Sequence, residues 1–286
     1  MSVGPKGAEA DEPSFDATVS ADGRLVAFES FASNLVRGGT PRFTGNVYLR
    51  DLAARTTTLL SVGRHGEPAN SDNTRATVSA DGRFVAFASA ASNLVAGDTN
   101  GAWDVFVYDR KRGTTERVSV GPGGAQGNGD SGVFGLALSG NGRRVAFVSE
   151  ASNLVGGDRN GVADIFVRDL DAGTTRRVSV GPGGIEADSL SVFPSFSADR
   201  RYVAFDSIAT NLVPHDRNGQ TDVFVHDLET GTTTRASVAG HGAEGDATSA
   251  VSSLSANGHA VAFQSEADNL VPGDTDGHFD VFVRYR

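Results

Sequence analysis

The stretch SADGRFVAFASAASNLVAGDTNGAWDVFVYD, residues 79–109, decides the fold. Its apolar residues alternate. Along Arg83–Ala88, Phe84, Ala86 and Ala88 fall on one side, with Val85 and Phe87 on the other. Along Asp104–Asp109, Val105 and Val107 oppose Phe106 and Tyr108. A period of two with apolar residues on both sides is the signature of a strand buried on both faces. The intervening Asp81-Gly82 is a tight-turn dipeptide. Working outward, Ala76–Ser79 precedes the turn and Thr114–Val120 follows a second turn at Gly113, giving four strands in antiparallel order.

The same unit occurs five times. The pair Ala-Phe recurs at Ala27-Phe28, Ala86-Phe87, Ala146-Phe147, Ala204-Phe205 and Ala262-Phe263. A second anchor opens the third strand at Val47, Val105, Ile165, Val223 and Val281. One four-stranded unit buries too little to fold alone, so the units must stack face to face. The sequence predicts an all-β, five-bladed β-propeller with four antiparallel strands per blade and almost no helix. The whole chain forms one domain, with blades at about 14–66, 67–124, 125–184, 185–242 and 243–286 plus 1–7. The last repeat stops in its third strand. Met1-Ser2-Val3-Gly4-Pro5 matches the end of a fourth strand such as Val118-Ser119-Val120-Gly121-Pro122, so the expectation is that the N-terminal strand closes the last blade.

The repeated element SADGR-x-VAF resembles the TolB-type, WD40-like propeller repeat. It stands here as SADGRLVAF, SADGRFVAF, SGNGRRVAF, SADRRYVAF and SANGHAVAF. The longer run SNLV-x-GD-x-NG-xx-D-VFV is similar to a subset of such repeats in bacterial, often exported, proteins. The resemblance spans nearly the whole chain and implies a scaffold for interactions. It carries no catalytic residue with it, because the repeat contains none.

Composition narrows the function. The absence of cysteine excludes disulfides, thiol nucleophiles and Cys-ligated metals. A net charge of −10 argues against nucleic acid as a partner. No apolar run approaches the length of a membrane span, and the polar start has no signal-peptide pattern.

The acids themselves are patterned. Four loops between the second and third strands carry D-x-[DN]-G-x-x-D: Asp98, Asn100 and Asp104; Asp158, Asn160 and Asp164; Asp216, Asn218 and Asp222; Asp274, Asp276 and Asp280. Alternating side-chain oxygens, a glycine and a further carboxylate form a calcium-type pattern. The backbone carbonyls of Ala102, Val162, Gln220 and His278 would contribute between them, and hard oxygen donors select Ca²⁺ over softer metals. Asn93, Asn153, Asn211 and Asn269 are candidates to complete the shell. Repeat one, with Thr40-Pro41-Arg42-Phe43-Thr44-Gly45-Asn46, is degenerate, so about four Ca²⁺ sites are expected. The same spacing also reads as an Asx turn whose last Asp caps the next strand.

The linkers between repeats vary but keep polar residues at matching offsets, among them Glu67, Asn70, Gln126, Asn128, Glu186 and Asp188. These define an expected loop face for a protein or glycan, or else solvated turns. The six histidines share no repeat position and read as surface or turn residues. Trp103, the sole Trp, lies inside an acidic loop. The expectation is thus a non-enzymatic, calcium-binding, exported (secreted or periplasmic) monomer acting as a binding scaffold. The alternatives are a lectin-like propeller and a glycan hydrolase or lyase at the central channel.

Overall fold

The computed structural model describes residues 2–286. Its strands fall into five sheets. Blade one holds β1 (Ser14–Val19), β2 (Leu25–Ser30), β3 (Asn46–Asp51) and β4 (Thr56–Leu59). Blade two holds β5 (Asn73–Val78), β6 (Phe84–Ser89), β7 (Asp104–Asp109) and β8 (Thr114–Arg117). Blade three holds β9 (Ser131–Leu138), β10 (Arg144–Ser149), β11 (Asp164–Asp169) and β12 (Thr174–Arg177). Blade four holds β13 (Ser191–Phe196), β14 (Tyr202–Ser207), β15 (Asp222–Asp227) and β16 (Thr232–Arg235). Blade five has only β17 (Ser249–Leu254), β18 (Ala260–Ser265) and β19 (Asp280–Tyr285). Every pairing is antiparallel and runs in chain order. The helical content of the described residues is three short 3₁₀ turns at Pro5–Gly7, Pro122–Gly124 and Pro182–Gly184.

The two-residue alternation explains the stacking, because each sheet turns one apolar set forward and the other back. Ala27, Val47 and Leu49 of blade one pack on Val85, Phe87 and Phe106 of blade two. Ala86, Val105 and Val107 of blade two pack in turn on Val145, Phe147 and Phe166. The next two junctions repeat the scheme. The two sequence anchors meet across the middle strands of every blade. Phe28–Tyr48, Phe87–Phe106, Phe147–Phe166, Phe205–Phe224 and Phe263–Phe282 stack with centroids 5.7–6.0 Å apart. At the opposite end from the acidic loops, a side chain added at Gly142 would strike the Phe84 ring at 2.5 Å, and one at Gly258 would strike Tyr202 at 2.1 Å. The turn glycine is therefore what lets one blade close onto the last. Blade four has Arg200 there instead, and it meets Arg144, whose Nη1 donates to the Arg200 carbonyl at 2.8 Å.

Three expectations need correction. The innermost strand begins earlier than its alternation suggests, at Asn73 rather than Ala76 in blade two, because a bulge between Thr74 and Thr77 breaks the pattern. The outermost strand is shorter, ending at Arg117, after which Val120 bridges to Gln126. Among the described residues the last sheet has three strands, and the N-terminus does not complete it. Val3 bridges to Glu9, and its carbonyl accepts the Thr57 hydroxyl of blade one at 2.7 Å. That is the place Val120 and Val180 take on blades three and four, where Thr175 and Thr233 reach back to them. Met1 lies outside the described residues. The forward face of blade five stays open: Val105, Ile165 and Val223 are fully buried, whereas Val281 is 79% exposed.

Candidate functional site

The acidic loops, which join the second strand to the third, and the interblade linkers, which join the fourth strand to the first strand of the next blade, lie at the same end of the sheets, remote from the tight turns, because the strands alternate in direction. In each loop the Asx turn forms as its sequence allows: the Gln220 amide donates to Asn218 Oδ1 at 2.9 Å, and Ala102 and Val162 do so to Asn100 and Asn160 at 3.4 and 3.3 Å. The asparagine amide nitrogen then donates to the last carboxylate, Asp104, Asp164 or Asp222, at 2.8–3.0 Å.

Between the two carboxylates of three loops stands an arginine from the outermost strand. Arg117 Nη1 lies 3.1 Å from Asp98 Oδ1 and 3.0 Å from Asp104 Oδ2. Arg177 makes the same pair of contacts at 3.1 Å each, and Arg235 at 3.3 and 2.9 Å. All six acids and all three arginines are nearly or fully buried. The linker adds a further group, since Gln126, Glu186 and Glu244 each accept from the same guanidinium at 2.7–2.9 Å. A serine two residues after the arginine completes the arrangement. Ser119, Ser179 and Ser237 donate to the other oxygen of the last Asp at 2.5 Å and accept the amide of Val105, Ile165 or Val223.

Burial pushes the carboxyls of Asp98, Asp158 and Asp216 above the usual carboxylate range, the last to about 6, against the pull of the guanidinium. Burial alone would lower Arg177 and Arg235, but their bonds to Glu186 and Asp222 hold both above the ordinary value. The guanidinium therefore supplies the positive charge these loops require. Sequence reasoning missed this partner, although the signal was present. Repeat one, which lacks the acids, has Leu59 at the position of Arg117, Arg177 and Arg235. Across repeats one to four, acids and arginine come and go together.

The fourth loop differs because blade five has no outermost strand among the described residues. Asp274, Asp276 and Asp280 there offer carboxylate oxygens all within 4.8 Å of one another, with no arginine between them. Desolvation first, then repulsion from Asp280, Asp268 and Asp276, raises Asp274. Of the loops read as Ca²⁺ sites, this is the one whose donor set fits a hard divalent ion. The asparagines expected to complete the shell are committed elsewhere: Asn153 accepts the Asn128 amide at 3.0 Å and donates to the Gln126 carbonyl at 2.8 Å. Asn70, Asn128, Asp188 and Asp11 cap the amides of Ser92, Ser152, Thr210 and Ser33 at 2.7–2.9 Å. The linker polar residues thus stitch loops together. Trp103 is half-buried, its amide bonded to Asp130. His226 departs from the expected surface role and sits buried in β15 against Thr233, with burial lowering its pKa to about 4.

A second feature had no sequence signal. The innermost strands of blades one, two, four and five are bulged at one equivalent position, and the residue there is left-handed: Asp16 (φ 46°), Arg75 (60°), Phe193 (53°) and Val251 (55°). Blade three has Gly135 (φ 132°) at its irregularity. Such conformations cost about 1–3 kcal/mol each in non-glycine residues. Carboxylates of the preceding blade hold two of them. Glu29 accepts the Arg75 amide and the Thr74 hydroxyl, and Asp206 Oδ2 accepts the Val251 amide at 2.7 Å. The five bulges converge on a cavity of about 530 Å³ at the central axis, lined by Asp16, Arg75, Leu136, Phe193, Pro194 and Val251 among others.

No protein-family model matches the chain, and no curated protein matches it in sequence. Solved structures do share its fold. TolB from Acinetobacter baumannii superposes with a TM-score of 0.52 at 17% identity, over 96% of this chain and 54% of that one. A putative TolB from Agrobacterium tumefaciens gives 0.54 at 18%, over 96% and 82%. The β-propeller domain of the Trilobed protease from Pyrococcus furiosus, described as having an open velcro topology, gives 0.57 at 11%, over 96% and 69%. The fold is TolB-like and propeller-like, as the repeat motif implies. The chain spans about half the length of the Acinetobacter TolB. Among the described residues no helix is long and apolar enough to cross a membrane.

Proposed function

We propose that this chain is a non-enzymatic binding scaffold of the propeller class that holds a polypeptide segment at the mouth of its central axis. One observation carries the reading. The repeats share one framework, yet the five bulge positions facing the axis hold a different residue in every blade, and four of them are left-handed without being glycine. Residue-type variation gathered at one surface of a repeated frame is where a specific ligand is read. The lining pairs one acid, Asp16, and one base, Arg75, with Leu136, Phe193, Pro194 and Val251. That mixture suits an extended segment with an apolar side chain between charged or amide groups. Calcium keeps one candidate place, with Asp274, Asp276 and Asp280 as its ligands. An exported location accords with calcium at the concentrations found outside cells.

Selection of displayed random peptides against the wild type, with counter-selection against Asp16→Ala and Arg75→Ala, tests the binding surface. Peptides that lose at least tenfold in affinity on both variants are the expected result. Enrichment indifferent to both substitutions would sink the reading. Calcium is tested separately by melting with Ca²⁺ and with EDTA. A rise with Ca²⁺ that vanishes in Asp280→Asn is expected, because binding to the folded state alone stabilises by RT ln(1 + [L]/Kd).

A further inference from the structure

We propose that the groove between residues 4–7 and blade one is a binding site for an oligophosphate group. The groove has a twin inside the molecule, and the comparison of the two carries the inference. The first, of about 950 Å³, is lined by residues 4–7, 35–37, 50 and 55–57. The second, of about 510 Å³, is lined by residues 121–124, 154–156, 168 and 173–175 of the linker into blade three and of blade three itself. Blade three is flanked by blades two and four, so the groove belongs to the repeat.

The two linings correspond position by position through the repeat, and they differ in residue type at three places. Lys6, Arg37 and Arg55 stand where blade three has Gly123, Gly156 and Gly173. All three differences add a base. Two of them do so against the backbone. Lys6 (φ 61°) and Arg55 (φ 57°) are left-handed, as Gly123 (68°) and Gly173 (65°) are. Glycine adopts that conformation freely and a side chain resists it. The hairpin position of Arg55 is glycine in repeats two to four, at Gly113, Gly173 and Gly231. Bases have thus replaced the residue the fold prefers, and all of them border one groove.

The fourth base, Arg50, is shared with the twin as Arg168. Arg50 Nη1 donates to Thr57 Oγ1 at 3.1 Å, and its buried Nε has no partner. Arg168 Nη1 also donates to the Gly173 carbonyl at 2.9 Å, a bond Arg50 does not make with Arg55. No carboxylate lines the groove, and none of the four bases forms an ion pair among the described residues. In a chain of net charge −10 this cationic field is local. Four cations reach the groove from the linker, the loop, β3 and the hairpin turn. A phosphate offers oxygens in several directions to such a set, whereas a carboxylate offers two in one plane. No aromatic ring lines the groove, so recognition rests on the charged groups and not on stacking of a base or sugar.

The test is calorimetric titration of the whole chain with tripolyphosphate in Ca²⁺-free buffer at about 0.15 M ionic strength. One saturable equivalent is expected. Lys6→Gly, Arg37→Gly and Arg55→Gly together should weaken it by roughly tenfold or more. The melting temperature should not fall, because two of the changes return glycine to left-handed positions. The converse transplant, Gly123→Lys, Gly156→Arg and Gly173→Arg, should add a second equivalent. A Cβ at each of these glycines meets open space, and the transplant carries the test if the first variant melts lower. Phosphatidate vesicles that sediment with the chain and release it to tripolyphosphate would support a lipid-borne phosphate, and binding of tripolyphosphate alone a free one. Absence of saturable binding, a triple glycine variant that binds as wild type, a transplant that adds no equivalent, or citrate binding as tightly would each overturn the proposal.

Discussion

Two buried titratable side chains give the molecule opposite responses to pH. Asp206 is 1% exposed, and its Oδ1 has no hydrogen-bond partner. Burial raises its pKa to about 6, against the pull of the Val251 amide. Its folded pKa lies above the ordinary value, so its contribution is complete in acid and is lost as pH rises from about 4 through 6. The charged form then costs roughly 2–3 kcal/mol. Asp206→Asn keeps the acceptor for Val251 and removes the charge. It should raise stability at pH 8 by about 1–2 kcal/mol and leave it nearly unchanged at pH 4, as read from urea midpoints. His226 works the other way. Its folded pKa, near 4, lies below the ordinary value, so the unfolded chain binds more protons between about pH 6.5 and 4 and stability falls as pH drops through that window. His226→Gln should abolish that loss, up to roughly 3 kcal/mol, with the acid limb of the melting profile as readout.

At the scale of the element, the acidic loop, the outermost strand and the linker form one electrostatic unit. Removing only the arginine of a buried group costs about 3–5 kcal/mol, because uncompensated charge remains, whereas exchanging the whole group for a neutral one is tolerated. Repeat one shows the neutral version, with Thr40, Asn46 and Leu59 in the corresponding places. Arg177→Leu alone should therefore be severely destabilising. Arg177→Leu combined with Asp158→Thr and Asp164→Asn should recover most of the loss in chemical denaturation. A triple variant no better than the single one would mean the guanidinium acts through packing. Arg177→Leu alone should also gain a Ca²⁺-dependent rise in melting temperature, since its loop then resembles that of blade five. The sequence made much of this unit legible. Alternation in stretches such as Arg83–Ala88 gave strands and faces, and spacing located the acids. What escaped was the partner of the acids, because a cation and a guanidinium satisfy the same carboxylates and spacing does not tell them apart. The bulges escaped for a different reason. Left-handed Asp16, Arg75, Phe193 and Val251 share no residue type, and the carboxylates that hold two of them come from the neighbouring blade.

For the whole molecule, the repeat predicts which face of each blade meets the next, and all four junctions follow it. It does not predict whether the first and last faces meet. The structure leaves two apolar end faces of the kinds that mate inside the molecule: Phe15 (50% exposed) and Val19 (58%) at one end, Val281 (79%) and Val283 (54%) at the other. Gly23 has open space where Gly82 and Gly142 contact the preceding blade.

The overlap between linkers and sheets has a practical bearing on how such a chain can be shortened. Each linker ties the blade it leaves to the blade it enters, so a cut between sheets severs a knot, while a cut one full period apart reties it with equivalent residues. Excision of residues 67–124 would bring Gly142 against Leu25, another apolar neighbour, and should yield a cooperative four-unit arc. Excision of residues 185–242 would set Arg144 against Gly258, a mismatched joint, and should give the weaker product by differential scanning calorimetry.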